Sequence, residues 1–310
     1  MQEKNFISIV LYIHNIEVDN IKSFCDKLDG GLLSHFKNYE IILANDSAEE
    51  ENLNKLVEKL NSITEHNTVS IISFPEYVGL ETAMMAGDDL AIGDYIFEFD
   101  NINIEFEQDI LMKVYSKTQE GYDIVSACSD KKENSLFSKL FYKIYNRGVS
   151  KEKKLESETM RLLSRRAYNR VKSMARVGVY RKALYGSSGL KYFHIYDADI
   201  VTLNKHDKNE VKQRWQLALN SLMLFTNVVQ RIAVAISGLF LLAVIIITIY
   251  IVAVFVLSKP VAGWTPIMMY LSIGFFGVFS ILSIVLKYLS LILKLEFHND
   301  THIVESIRKV

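Results

Sequence analysis

Five short runs of β-branched and aromatic residues punctuate the first 130 positions: 6–13 (FISIVLYI), 39–44 (YEIILA), 69–74 (VSIISF), 94–99 (DYIFEF) and 122–127 (YDIVSA). Each is bounded by polar or turn-forming residues, the pattern of buried strands. Between them the apolar positions return at helical spacing, as at Ile21, Phe24, Cys25 and Leu28, and again at Ala83, Met84, Ala86 and Leu90. Strand and helix in alternation predict an α/β fold, a mainly parallel sheet with flanking helices. Such sheets bind ligands beyond the carboxyl ends of their strands. The polar residues there are His14 and Asn15, Asn45 and Asp46, Glu76, Asp100 to Asn103, and Ser129 with Asp130.

The pattern changes after about residue 215. Residues 232–257 (IAVAISGLFLLAVIIITIYIVAVFVL) carry no charge. At ~1.5 Å per residue such a helix reaches roughly 39 Å, more than the ~30 Å hydrocarbon core of a bilayer. A second apolar run, 266–290, follows a linker holding Pro260, Gly263 and Trp264. Together they predict a transmembrane hairpin; two buried core helices are the alternative and would need a large covering surface. Arg214 and Arg231 precede the first run, and Lys287, Lys294, Arg308 and Lys309 lie at or after the end of the second, while the linker has Lys259 alone. The positive-inside rule then places both termini in the cytoplasm of a multi-pass protein of the inner or plasma membrane. Two further segments, 135–147 with Lys139 and Lys143 and 212–225 with Lys212 and Arg214, set apolar stripes beside basic residues. They read as helices at an anionic leaflet or as ordinary core helices.

The formal charge of −1 over 310 residues excludes a dedicated nucleic-acid binder. No GxGxxG follows the first strand and no GxxxxGK[ST] occurs, so neither dinucleotide nor P-loop chemistry is signalled. Cys25 and Cys128 suggest neither a disulfide framework nor a zinc site, and His14, His194 and His206 show no ligand pairing. The N-terminal apolar stretch lacks the basic flank and cleavage site of a signal peptide and reads as a strand. Asp46 and Asp100 stay open between ligand contact and the turn or helix-cap role common for aspartate after a strand.

The order of these pieces resembles the family 2 glycosyltransferases that make polyprenyl-phosphate sugars. The resemblance runs through ISIVLYIHNIE, YEIILANDSAEE, VGLETAMMAGDDLAIGDYIFEFD, EGYDIVSA, LFYKIYNR, MRLLSRRA and the hairpin with AGWTPIMM and LKYL. It implies a GT-A fold, a nucleotide-sugar donor, a polyprenyl phosphate acceptor and a homo-oligomer, a tetramer in many relatives. Residue by residue, the family's paired aspartates after the second strand fall on Asn45 and Asp46, and its base-holding acid falls on Ile16, between Asn15 and Glu17. Its metal-binding DxD falls on Asp100, Asn101 and Ile102, and an assisting glutamine falls on Ile104. The aspartate before its conserved arginine falls on Thr159, with Glu158 adjacent and Arg161 kept.

What the resemblance implies for chemistry follows from these positions. A lipid phosphate is largely dianionic at pH 7 and needs no general base. The leaving nucleoside diphosphate, UDP by expectation, needs charge stabilisation, commonly a magnesium or manganese ion. Asp100 would hold it, with Asn101, Asn103 or Glu105 completing the shell. Arg161 and Glu158 join Asp100 as the expected catalytic group; Asn15, Asn45, Asp46 and Asn101 as donor contacts; Lys139, Lys143, Arg165, Lys212 and Arg214 as phosphate or lipid contacts. The expected organisation is a cytoplasmic GT-A-like domain (1–210), an interfacial helix (211–230), the hairpin (231–293) and a cytoplasmic tail (294–310). The aliphatic residues at 16, 102 and 104 favour a second reading, an inactive scaffold or regulatory subunit of a glycan-assembly complex.

Overall fold

The computed structural model describes residues 2–14, 18–64, 68–129, 136–149, 154–174, 180–202, 216–222, 226, scattered positions between 232 and 249, 264–297 and 306–309. It divides into two units: Met1–Ser221 with Asp300–Val310, and Leu222–Asn299.

The first unit is built on an eight-stranded sheet. In chain order its strands are β1 (Ile7–Ile13), β2 (Tyr39–Asn45), β3 (Thr68–Ser73), β4 (Tyr95–Phe99), β6 (Ile124–Ser129), β7 (Glu158–Ser164), β8 (Tyr192–Asp197) and β10 (Ser306–Lys309). In space the order is β10-β3-β2-β1-β4-β7-β6-β8. A separate antiparallel pair joins β5 (Ile104–Glu105) to β9 (Val201–Thr202). The helices are α1 (Val18–Gly31), α2 (Glu50–Ile63), α3 (Leu80–Leu90), α4 (Asp109–Gln119), α5 (Leu136–Gly148), α6 (Arg165–Met174) and α7 (Arg181–Ser187).

All five predicted strands form, with ends within two residues of expectation. β1 pairs in parallel with both β2 and β4, β2 with β3, and β6 with β8. Two departures matter. β7 enters the sheet antiparallel to both β4 and β6; its sequence, ETMRLLS, carries arginine in its centre and lacks a strand's apolar signature. The expected cytoplasmic tail supplies β10, which lies antiparallel along the outer edge of β3 and covers that strand's free backbone groups.

One face of the sheet is apolar throughout. Ile7, Ile9, Leu11 and Ile13 of β1, Ile41 and Leu43 of β2, Phe97 and Phe99 of β4, and Met160 and Leu162 of β7 belong to one cluster with Phe24 and Leu28 of α1, Leu56 and Leu60 of α2, and Ile110 and Val114 of α4. The period of two along each strand sends the intervening residues to the opposite face. There α3 lies on β1 and β2, and Gly79 starts it at φ 85°, ψ 159°, a conformation open to glycine and strained for other residues.

In the second unit, α8 (Trp264–Phe297) runs for 34 residues. Ile267, Phe275, Phe276, Val278, Val285 and Ile292 on it are more than half exposed, as are Leu239, Leu242, Ile246 and Ile249 of the preceding apolar run. A Cβ on Gly277 would stand 2.7 Å from the Phe240 ring, so the absent side chain lets the two apolar segments approach closely. Over the described residues alone, no helix is long and apolar enough to cross a membrane. Most of the run 232–257 lies outside those residues, and the hairpin remains an expectation of the sequence. Of the segment 211–230, residues 216–222 are helical.

Candidate active site

The strand β4, YIFEF, carries one charge in an apolar run, and Glu98 is fully buried. A carboxylate taken out of water without a partner is very costly, so the fold must bring cations to it. Register supplies the first: Arg161 of β7 is the direct cross-strand neighbour of Glu98. The same row continues through Ser126 of β6 to His194 of β8, where the Ser126 Oγ and His194 Nδ1 lie 2.7 Å apart. The second cation, Arg181, begins α7, more than 80 residues along the chain from β4.

Both guanidiniums fork across Glu98 and Asp100. Arg161 donates from Nη1 to Glu98 Oε2 at 2.5 Å and from Nη2 to Asp100 Oδ2. Arg181 donates from Nη1 to Glu98 Oε2 and from Nη2 to Asp100 Oδ1, each at 2.8 Å. Its Nε and backbone N–H both reach Glu81 Oε2, at 3.0 and 2.9 Å. The Tyr185 hydroxyl donates to Glu98 Oε1 at 2.5 Å. Lys182 donates to the Glu158 carbonyl at 2.5 Å, and its Nζ lies 3.7 Å from Asp100 Oδ2.

These surroundings set the protonation states. Burial alone would raise the pKa of Asp100, but Arg161, Arg181 and Lys182 outweigh it and hold the carboxyl well below the usual range. Glu98 is lowered in the same way, burial opposing and Arg181 and Arg161 prevailing. Asp88 of α3 goes the other way: burial and the neighbouring Glu98 charge raise it well above an ordinary aspartate. Its Oδ1 has no hydrogen-bond partner. It lines a cavity of about 30 Å³ with Asp89, Tyr168, Arg181 and Tyr185, roughly enough for a single water.

The predicted residues separate into several groups. Asp100, Arg161 and Glu158 do come together: Glu158 is buried, accepts from the Tyr192 hydroxyl at 2.5 Å and lies 3.9 Å from Arg161 Nε. Asp46 is fully buried, and its carboxylate braces the chain itself. Oδ1 accepts from the Val78 N–H, and Oδ2 from the Gly79 N–H and the Tyr12 hydroxyl, all at 2.8 Å. Asp46 therefore fixes the entry to α3 and does not cap α2, whose N-cap position is Glu49, without a side-chain cap hydrogen bond. Asn45 accepts from the Ala48 N–H at 3.1 Å and donates to Ser73 Oγ at 3.3 Å, closing the turn after β2. Asn101 accepts from the Asn103 N–H at 2.9 Å, a local turn. Asn103 is fully buried, and Glu105 pairs with Lys27.

Arg165 does not join the site. Because β7 runs antiparallel to β4, Ser164 lies opposite Tyr95, at the strand end away from Asp100. The five-residue strand separates the two ends by roughly 16 Å. There Arg165 donates to the Gly93 carbonyl at 2.8 and 2.5 Å and stacks over Tyr168. Lys139 and Lys143 are exposed on α5, whose Phe141 ring lies 6.5 Å from that of Tyr180, the residue before Arg181. Asn15, Lys212 and Arg214 lie outside the described residues.

The expected metal shell is not assembled around Asp100. Ile102 and Ile104 are 2% and 3% exposed and belong to the apolar cluster, and their aliphatic side chains offer Asp100 no oxygen ligand. Among the described residues no three of His, Cys, Asp and Glu group as ligands for an ion. The residues present do not fit a divalent ion at Asp100.

Comparison with known proteins gives this geometry its context. A family profile described as Glycosyl transferase family 2 matches residues 18–175, about half of the chain. The chain belongs to glycosyltransferase family 2. An uncharacterized glycosyltransferase, sll0501, of Synechocystis is 25% identical over 226 residues, covering 71% of this chain and 69% of the relative. The undecaprenyl-phosphate 4-deoxy-4-formamido-L-arabinose transferase of Klebsiella pneumoniae is 26% identical over 145 residues, 47% of this chain and 43% of that one. Among solved structures, one titled as a mycobacterial protein matches with a TM-score of 0.50 at 12% identity, over 72% of this chain and 75% of that one. The fold of this family 2 member is the GT-A-like α/β arrangement expected from its sequence.

Sequence reasoning missed Glu98, Asp88, Glu81, Arg181, Lys182 and Tyr185 as one cluster. Glu98 had a signal: a lone charge inside a run meant to be buried. Arg181 had none, since nothing local in VGVYRKAL marks its partner.

Proposed function

We propose that this family 2 glycosyltransferase is anchored by its two apolar runs and transfers a sugar, with inversion, from a nucleotide donor such as a UDP-sugar to a polyprenyl phosphate at the cytoplasmic leaflet. The observation that carries the lipid assignment is the apolar surface of the second unit, where side chains from both runs are more than half exposed. Exposed apolar area on that scale calls for lipid or another apolar cover. The relative from Klebsiella, named for an undecaprenyl-phosphate acceptor, supports the same class of acceptor. In this reading the donor lies beyond the carboxyl end of β4, above Asp100, and the dianionic lipid phosphate attacks without a general base. Thr159, whose hydroxyl has no hydrogen-bond partner, is then no obstacle to turnover. Lys139, Lys143, Lys212 and Arg214 draw the acceptor headgroup to the membrane surface.

One observation favours the scaffold reading: both oxygens of Asp100 are held by guanidiniums, and its side chain is 9% exposed. A single experiment separates the two. Detergent-purified protein is incubated with polyprenyl phosphate and a panel of radiolabelled UDP-, GDP-, TDP- and CDP-sugars. Label in the lipid fraction supports the enzyme, and its loss in Lys139→Ala/Lys143→Ala would support the headgroup assignment. No transfer from any donor, together with no nucleotide binding by folded protein, would leave the scaffold.

A further inference from the structure

We propose that Arg181, together with Arg161, stands in this chain where a divalent ion would otherwise neutralise Asp100, so that the nucleotide donor binds without metal. The inference rests on the donor reading above.

A magnesium or manganese ion at Asp100 needs a near-octahedral set of oxygens at about 2.0–2.2 Å. Asp100 Oδ1 already accepts from Arg181, and Oδ2 from Arg161. The nearest second carboxylate, Glu98, accepts from both arginines and from Tyr185. A third, Glu81, is taken by the Nε and backbone N–H of Arg181. Among the described residues no three such acids group as ligands for an ion. An incoming dication would also meet three cationic side chains, Arg161, Arg181 and Lys182, all within 4 Å of Asp100.

Arg181 suits a standing role better than a transient one. It is 2% exposed, and its fork spans three carboxylates on two elements, α3 and the end of β4. Guanidinium stays charged at any working pH and offers rigid, planar donors, whereas an ion must be recruited from solution. With its nitrogens directed at Glu81, Glu98 and Asp100, Arg181 is a positioning residue: it fixes the carboxyl end of β4 and makes no contact with the donor.

The test uses Mn²⁺ alone, then nucleotide. Full-length protein in detergent is mixed with Mn²⁺, and free hexaaqua-Mn²⁺ is followed by electron paramagnetic resonance. The expected result is no loss of free signal at equimolar protein. Saturable loss that disappears in Asp100→Asn would overturn the proposal. In the second arm UDP is titrated calorimetrically with EDTA or with Mn²⁺. Equal affinity is expected; tightening by about tenfold or more with Mn²⁺, abolished in Asp100→Asn, would overturn the proposal while keeping the donor reading. Absence of nucleotide binding in both buffers would overturn the donor reading, and the Mn²⁺ arm then still decides the question of the ion. Arg181→Gln, which removes the resident cation, should gain Mn²⁺ binding, and Arg181→Lys should not. If Arg181→Gln does not fold, the Lys variant and the wild-type Mn²⁺ titration carry the decision.

Discussion

On one face of the central sheet Ile9, Leu43, Phe97 and Leu162 meet the helices α1, α2 and α4 through apolar atoms alone. On the other face, in the same strands, Glu98, Arg161 and Ser126 stand in one row under α3 and α7. The two faces are equally buried, yet they answer to different physics. Apolar burial is non-directional and graded: each methylene contributes ~0.8 kcal/mol and any well-shaped neighbour will serve. The charged face is directional and collective. Each carboxylate is tolerable there because specific guanidiniums reach it, and removing one member strands the rest.

That difference can be tested by substitution. The largest effect is expected from Arg181→Met, which leaves Glu81, Glu98 and Asp100 short of a cation. A loss of about 3–5 kcal/mol is expected in denaturant unfolding of the detergent-solubilised protein. A loss near that of an apolar truncation would erase the distinction between the faces. Next, Glu98→Met and Arg161→Met should be non-additive, with the double variant recovering about 1–3 kcal/mol relative to the sum of the singles; additivity would show that the pair acts as two independent side chains. On the apolar face Ile9→Val should cost about 0.5–1.5 kcal/mol, with no coupling to either.

A pH series sharpens the same contrast. Glu98 and Asp100 have pKa values lowered by the fold, so the stability they contribute is present above their unfolded values of 4.5 and 3.8 and is lost as pH falls. Asp88 is raised, so its contribution runs the other way: present below its unfolded value of 3.8 and lost as pH rises toward its folded value. Asp88→Asn should remove the decline on the alkaline side and leave the acid limb in place. Unfolding midpoints measured from about pH 2 upward check both limbs, and an unchanged slope above about pH 4 would mean that Asp88 is ionised in the fold.

The two cysteines report on the two faces without altering stability. Cys25, on α1, lies in the apolar cluster, and Cys128 lies beside Ser126 and His194 on the charged side. Burial pushes both thiols up to about 12, so neither should react with maleimide at pH 8 in the folded protein. In Arg181→Met, Cys128 is expected to become reactive first, and simultaneous labelling of both would indicate that the faces open as one unit.

The strands β1 to β4 and β6, and the helices between them, were legible because period-two and period-3.6 patterns are local signals of burial. β7 was not, since its central Arg161 breaks the apolar run that marks a buried strand. It forms because β4 and β6 offer it backbone partners on both edges and Glu98 offers it a counter-charge. Asp46 was legible as a special residue after β2, but not as the brace of the α3 entry, since its partners at Tyr12, Val78 and Gly79 come from two other segments. Arg165 adjoined a motif in sequence and lies at the wrong end of the sheet in space, because an antiparallel strand carries the chain away from the site.

Alone, then, the sequence determined the alternation of strand and helix, the two apolar runs and the membership of a glycosyltransferase family. The first two depend on side-chain polarity at fixed spacing, which any stretch of about ten residues displays; the third rests on the resemblance of particular motifs and on the family profile over residues 18–175. Tertiary structure alone decided what Asp100 faces. Its two guanidiniums arrive from β7 and α7, 61 and 81 positions away, and a charge–charge contact of a few ångströms is set by how the strands and helices pack, not by the order of residues along the chain.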